Sequence, residues 1–446
     1  MINKKSTLFV FGFTLLLRLV VSIYFYNIEI WNTFADDNSK SKYADRIIEN
    51  GYVFEVSNYE ITSKETLFAP FIPSLIALNK LVFGDNWLSL FLVNALIGAV
   101  LCIIIYLISS TFFNHKISIL AMIWAAIYPN YIRYIGSAGS EPWIVFFFAL
   151  TFLFAIKCIE LKKIRYILII GYALSLALLF HTDERYLIYS FLFTMVLFVG
   201  SHPIMFKLKK AVLFGFFVIF FSTPWLIRNY IVYDDIVVIS CRTTNLTKHF
   251  IDHREELLFY DHTPNRSYLS PSQIDSVRNG NLTTFTNGKQ IYPVQIEAMK
   301  KGNIPHSFTL SEKIFSRMYF LWVPFKFHDN YRITGYAFNP AWSLKHNLMT
   351  GISYGLLLPF VFIAFVILLR KRKWKEVILF GGVMFYQSFI HIAFIPYTRD
   401  RYRHPIDFAV IILGIYGMLI AFNFIKTKYY RKKIPFKKME EISAKT

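Results

Sequence analysis

Ten apolar runs, each near the length a bilayer demands, constrain this chain more than any other feature. They fall at 8–28, 88–111, 117–134, 142–159, 164–182, 186–201, 209–227, 346–369, 376–395 and 405–425. Three of them, 117–134, 164–182 and 186–201, are short or interrupted, which local thinning and snorkelling of flanking Lys and Arg can accommodate. Only 17% of the residues are charged, against about 25% in a soluble domain, so the runs have little polar chain to hide behind. The 47 Phe fit lipid-facing helices and the 28 Tyr suit the membrane interface. The reading is an all-α polytopic membrane protein: a bundle of about ten spans with helical outer loops.

Basic residues test that count. With the N-terminus inside, the six cytoplasmic segments 1–7, 111–116, 157–165, 200–210, 370–376 and 425–446 hold 23 Lys and Arg. The outer segment 29–87 holds five, against nine acids. The long outer segment 228–345 holds fourteen, but long translocated loops escape the bias. The net charge of +20 therefore reflects topology, and a nucleic-acid partner is excluded. Residues 67–84 could pass for an eleventh span. Inserting it would move Lys157, Lys162, Lys163 and Arg165 outside, and it carries Pro70, Pro73, Asn79 and Lys80. A helix lying on the outer leaflet is more economical, and 309–325 is expected to be a second one. The first run lacks a small-x-small cleavage site and reads as an uncleaved span. The three cysteines form no metal or disulfide spacing.

The chain then divides into a membrane module at 1–227 containing the outer loop 29–87, an extracytoplasmic segment at 228–345, C-terminal transmembrane helices at 346–425, and a basic cytoplasmic tail at 426–446. That tail is explained as an anchor to anionic lipid. The protein is expected in a membrane with both termini cytoplasmic.

Polar residues near outer helix ends are the candidates for chemistry. Asp36 and Asp37 are adjacent carboxylates beyond the first span; such a pair can raise one pKa or hold a cation, and either suits a general base. An ordinary turn or helix cap explains them equally. Glu141 precedes Pro142 at a helix start, where a carboxylate is favoured by free backbone donors, yet it opens onto the same outer face. Arg133, Arg185, Arg228, Arg399, Arg401 and Arg403 persist at outer ends despite the bias against them, with Glu184 beside Arg185. A planar guanidinium suits phosphate oxygens. The alternative is snorkelling, or pairing with Asp183, Glu184, Asp400 and Asp407. His181, His391 and His404 are possible proton carriers or satisfied polar groups. Arg18 lies within the first run and must pair or snorkel.

Taken in order, these pieces resemble the multispanning GT-C glycosyltransferases. That group includes dolichyl-phosphate-mannose-type protein mannosyltransferases, lipid-A aminoarabinose transferases, and bacterial members acting on envelope polymers or lipids. The matching pieces are Asp36-Asp37 with Tyr43, Ala69-Pro70 through Phe83-Gly84, Ser140-Glu141, Thr223-Pro224-Trp225-Leu226-Ile227-Arg228-Asn229, and Arg401-Tyr402-Arg403-His404-Pro405. The resemblance implies a GT-C-like bundle that transfers a sugar from a polyprenyl-phosphate carrier to an extracytoplasmic acceptor by one inverting displacement. It implies a catalytic carboxylate at Asp36 or Asp37, with Glu141 as a further acid. It implies substrate contacts from Tyr43, Lys64, Arg133, Glu184, Arg185, Arg228, Arg401 and Arg403. Lys64 stands further from Pro70 than the corresponding basic residue of many relatives. In some relatives these acids hold a divalent metal, which here would map onto Asp37 and Glu141. No histidine ligand set accompanies them, so the metal is unassigned. The competing readings are a ligase or polymerase of lipid-linked glycans, and a polyprenyl-lipid flippase or transporter. A transporter would be expected to carry internal repeats and midplane charges, and neither is evident in the sequence.

Overall fold

A computed structural model describes residues 4–29, 35–51, 69–160, 166–182, 189–233, 351–393 and 400–433, with a few isolated positions between 314 and 349. Among the described residues all regular structure is helical. The helices are α1 (Lys4–Asn27), α2 (Ala35–Asn50), α3 (Phe71–Phe83), α4 (Trp87–Phe112), α5 (His115–Ala126), α6 (Pro129–Arg133), α7 (Glu141–Glu160), α8 (Tyr166–Thr182), α9 (Tyr189–Val196) and α10 (Ile204–Tyr233). After the long segment come α11 (Leu358–Arg370), α12 (Gly382–Ala393) and α13 (Asp407–Lys433). Most of the extracytoplasmic segment expected at 228–345, and the tail from 434 onward, lie outside the described residues.

Among the described residues five helical stretches are long and apolar enough to cross a membrane: Lys5–Asn27, Trp87–Phe112, Glu141–Glu160, Gly351–Arg370 and Arg403–Thr427. Each coincides with an expected run. Of the remaining runs, 209–227 lies within the continuous α10, and the other four are short or broken, three of them as the sequence implied. Run 117–134 divides into α5 and α6 because Pro129 has no N–H to continue the helix. Run 164–182 gives the 17-residue α8, and run 186–201 gives only the eight-residue α9. Run 376–395 opens with a π turn at Val377–Gly381 before α12 begins. The rival stretch 67–84 forms α3, whose 13 residues end at Gly84 with φ +72°. At 1.5 Å per residue α3 reaches about 20 Å, short of a hydrocarbon core of about 30 Å. It packs on α2, tied by Lys80 Nζ to Asp45 Oδ1 at 2.7 Å. Within 309–325 the helical positions described are Ile314, Met318, Tyr319, Leu321 and Trp322.

Helix α1 shows what solvent the fold is built for. Val10, Thr14, Arg18 and Ser22 recur every fourth residue, and this largely polar stripe is the buried one. Leu8, Phe9, Leu16 and Val20 on the other faces are exposed. A soluble helix does the reverse, so these apolar faces are suited to lipid. Ser22 Oγ donates to the carbonyls of Arg18 and Phe91, seating α1 on α4. Arg18 is completely buried and donates from Nη1 to Tyr131 O (3.1 Å) and from Nη2 to Ala125 O (3.3 Å). It thereby serves carbonyls on both sides of the break between α5 and α6, Ala125 near the end of the first and Tyr131 within the second. That is the pairing the sequence required for Arg18 without supplying the partner.

The innermost packing belongs to α4, α7 and the first turns of α13, where Ile406 and the residues from Phe408 to Leu413 are almost fully buried. Helices α11 and α13 cross closely. A methyl at Gly417 would overlap the Phe360 carbonyl oxygen, and one at Gly414 would come 2.9 Å from Leu357 Cβ. Small residues at this spacing let two helix backbones touch, a common device in lipid. On the other side, Tyr172 of α8 stacks on Phe214 of α10 and donates its hydroxyl to Phe193 O of α9.

The bundle has two distinct ends. At one, Ser6 Oγ and Tyr106 Oη lie 3.4 and 3.1 Å from the two ring nitrogens of His115. Lys157 there meets Glu160 at 3.1 Å, Lys375 meets the same carboxylate at 3.7 Å, and Lys210 donates to Cys158 O. Residues from five of the segments grouped together by charge thus converge at one end. The other end holds Asn94, Glu141 and the 403–407 cluster.

Candidate functional site

Construction of that second end begins with Asn94, buried on α4. Its Nδ2 donates to Ile135 O (3.1 Å) and Ser137 O (2.9 Å), while Oδ1 accepts from Trp143 Nε1 (3.1 Å). One amide thereby fixes both the 3₁₀ turn Tyr134–Gly136 and the first turn of α7. Ser137 Oγ accepts from Gly139 N at 2.7 Å and tightens the link between them. Glu141 opens α7 and is half-buried. A methyl at Gly139 would overlap Glu141 Oε2, so the carboxylate folds back over the glycine backbone. The helix N-terminus favours a negative group there.

The turn Asp400–Ile406 and the start of α13 close this end against α7. Asp407 is its hub. Oδ1 accepts from Arg403 Nε (2.9 Å), while Oδ2 accepts from Tyr128 Oη (2.9 Å) and lies 3.1 Å from His404 Nδ1. Arg403 also donates from Nη1 to Leu321 O (3.0 Å), and its guanidinium lies 3.4 Å from the Tyr354 ring centroid. Of the two roles the sequence left open for Arg403, phosphate contact and pairing with Asp407, the structure shows the pairing. Arg403 and Asp407 are both fully buried. The spacings i, i+4 and i, i+3 to Asp407 made these partners legible; Tyr128, Tyr354 and Leu321 had no local signal.

The two halves touch through rings. Tyr134 packs edge-on to His404 with centroids 5.4 Å apart, and Arg133, at the end of α6, reaches the Tyr134 ring at 5.8 Å. Tyr128 in turn packs on Tyr131, whose carbonyl holds Arg18. Arg133, the turn leading to Glu141, and the 403–407 cluster therefore share one end of the bundle.

The other expected residues distribute as follows. Asp36 and Asp37 are the second and third residues of α2, which opens eight residues after α1 ends. Tyr43 is buried on α2 beside Ala44 and Ile47. Arg228 is buried near the end of α10, donating to Asn229 Oδ1 (2.9 Å) with its guanidinium 4.8 Å from the Trp225 ring centroid. Arg401 belongs to the 400–406 turn. Lys64, Glu184 and Arg185 lie outside the described residues. Of the other histidines, His391 is buried with Nδ1 2.9 Å from Gln387 O, and His181 packs against Phe180. Among the described residues no group of three His, Cys, Asp or Glu gathers to hold a metal. The position of Glu141 is accounted for by its helix N-terminus.

Comparison with known proteins bears on this end of the molecule. Residues 68–227, from the approach to α3 through most of α10 and including Arg133 and Glu141, match the family described as dolichyl-phosphate-mannose-protein mannosyltransferase. No curated protein matches the chain in sequence. Its fold is similar to the crystal structure of the Archaeoglobus fulgidus oligosaccharyltransferase in the apo form, with a TM-score of 0.54 at 12% identity over 95% of this chain and 51% of that one. The chain thus spans about half the length of that solved relative. The archaeal oligosaccharyltransferase AglB, also from Archaeoglobus fulgidus and in complex with an inhibitory peptide and a dolichol-phosphate, aligns at 14% identity over the same shares with a TM-score of only 0.39. The chain is an all-helical, multi-span membrane protein, related to the mannosyltransferase family through residues 68–227 and similar in fold to the archaeal oligosaccharyltransferase.

Proposed function

We propose that this protein transfers a sugar from a polyprenyl-phosphate carrier to an envelope glycan, lipid or protein acceptor at the non-basic end of its bundle. That end faces the extracytoplasmic side, with about ten membrane crossings in all. One observation carries the reading. The turn that holds Glu141 lies within the matched stretch 68–227 and is built, through Asn94 and Gly139, to keep a half-buried carboxylate at the bundle end that also holds Arg133 and Arg403. Lipid-phosphate chemistry needs that pairing of groups. A sugar on phosphate has a labile bond whose leaving group requires charge neutralisation, and the acceptor requires a base.

In the step proposed, Asp36 takes the proton of the acceptor hydroxyl or amine. The freed pair attacks the anomeric carbon, and the carbon–phosphate-oxygen bond breaks with its electrons to the phosphate. A single displacement inverts that carbon. Asp37 orients the acceptor, and Arg228 and Arg401 contact the phosphate, with Tyr43, Lys64, Arg133, Glu184 and Arg185 lining the path. Arg403 contributes as the fixed partner of Asp407.

Turnover of purified protein with a polyprenyl-phosphate sugar donor and envelope acceptors tests this. Asp36→Asn keeps the shape of the side chain but removes the anion, and should lose about 100-fold or more in turnover with donor binding intact. Asp37→Asn should lose less. Near-normal turnover in both single variants and the double variant would move the base to Glu141. Movement of lipid phosphate between leaflets without sugar transfer would replace the reading with a flippase.

A further inference from the structure

The His404–Asp407 pair has a geometry that pairing with Arg403 does not require. Asp407 Oδ2 lies 3.1 Å from Nδ1 of His404, so the carboxylate holds that nitrogen as a donor. Tyr128 donates to the same oxygen, and Arg403 occupies the other, so the carboxylate is pinned from three sides. A carboxylate on one imidazole nitrogen fixes the ring and leaves the other nitrogen to work. His404 Nε2 has no hydrogen-bond partner among the described residues, although the residue is only 3% exposed. The ring stands against Tyr134, beside Arg133 and the turn that leads to Glu141.

Charge decides what such a ring is good for. Arg403 and Asp407 cancel, so protonating His404 makes the cluster net positive. A sugar–phosphate diester carries one negative charge, whereas the monoester left after transfer has a second ionisation near pH 6 (about 6). The reaction therefore creates a charge at the phosphate that the donor lacked.

We infer that His404, positioned by Asp407, donates a hydrogen bond from Nε2 to the lipid phosphate and delivers a proton to it as the sugar leaves. The inference rests on the function proposed above. The bond between the anomeric carbon and the phosphate oxygen breaks with its electron pair to the oxygen. The Nε2 proton passes to the phosphate, giving a monoanion and neutral His404. The proton that the acceptor lost to Asp36 goes to solvent, and His404 takes one back from solvent. The groups around His404 are Asp407 and Arg403 on its own segment, Tyr134 from the turn after α6 with Arg133 of α6 behind it, and Tyr128 before α6. Glu141 heads α7, and His391 lies on α12, the two helices packed against the turn.

The test uses the full-length protein in lipid nanodiscs and two probes: a methyl polyprenyl phosphodiester, whose single charge does not titrate near neutrality, and inorganic phosphate. His404→Asn places an amide nitrogen where Nδ1 stands, keeping the bond to Asp407 while deleting Nε2, and should lose about tenfold in diester affinity. His404→Gln offers a donor near Nε2 and should restore part of that affinity. Competition by inorganic phosphate that weakens in the same order across the variants would assign the site to phosphate itself; competition by the lipid probe alone shows that the carrier is required. Either supports a phosphate-contacting His404. A wild type that binds the diester and turns over, with affinity and turnover unchanged in both variants, overturns the inference and leaves the proposed function standing. Absence of any binding or transfer by wild type overturns both.

Discussion

Asp407 shows how a single buried carboxylate can organise distant parts of a membrane protein. Its three polar contacts come from Arg403, His404 and Tyr128, and through Arg403 it reaches Leu321 and Tyr354. Removing the carboxylate strands a buried guanidinium, which is among the more damaging single changes available. Asp407→Ala should therefore destabilise the protein by about 3–5 kcal/mol, read as a fall in thermal or detergent unfolding. Replacing both partners, Arg403→Met with Asp407→Leu, should recover much of that loss, since no charge is then left unpaired. Equal damage in the single and double variants would mean that Tyr128 and His404, not the ion pair, carry the energy. Arg18 differs in having backbone carbonyls rather than an acid as partners. Arg18→Leu should remove the side-chain donors from the carbonyls of Ala125 and Tyr131 and cost about 1–3 kcal/mol, read from unfolding curves.

The crossing of α11 and α13 depends on glycine at one face. Gly417→Leu has to displace the backbone of α11 at Phe360, because the atom in the way is a main-chain carbonyl oxygen and not the tip of a flexible side chain. A loss of about 1–3 kcal/mol is expected, as for other overpacked positions. Gly215 on α10 has nothing within 4 Å of an added methyl. Gly215→Ala should be neutral or gain about 0.5–1 kcal/mol from helix propensity. Parallel unfolding curves for the two variants separate packing from propensity, and equal shifts would remove the close crossing from the account. The α4-to-turn connection is also element-level. Asn94→Leu leaves the carbonyls of Ile135 and Ser137 without donors, so it should loosen the Glu141 turn and reduce turnover more than donor affinity.

For the molecule as a whole, the two bundle ends make a prediction about sidedness. With Cys102, Cys158 and Cys241 replaced, single cysteines at Lys209 and Lys375 should react with an impermeant reagent only after permeabilisation. Cysteines at Asp85 and Ser140 should react from outside. The reverse pattern would turn the protein over in the membrane while leaving its fold intact. Labelling of both sets from one side would break the division into two ends.

The lengths and positions of the five longest spans were readable because transfer of a helix into lipid depends on local hydropathy alone. The same holds for the grouping of basic segments and for Glu141 at a helix start, since each follows from neighbouring residues. For Arg18 the sequence required pairing or snorkelling, but neither its partners nor the buried stripe it shares with Thr14 and Ser22 was read from it. The tertiary structure alone decided the carbonyls that hold Arg18 and the reach of Tyr128 to Asp407 across 279 residues. Buried polar groups in an apolar interior must find partners, and the partner they find is set by which helices meet, a matter of packing that no local pattern encodes.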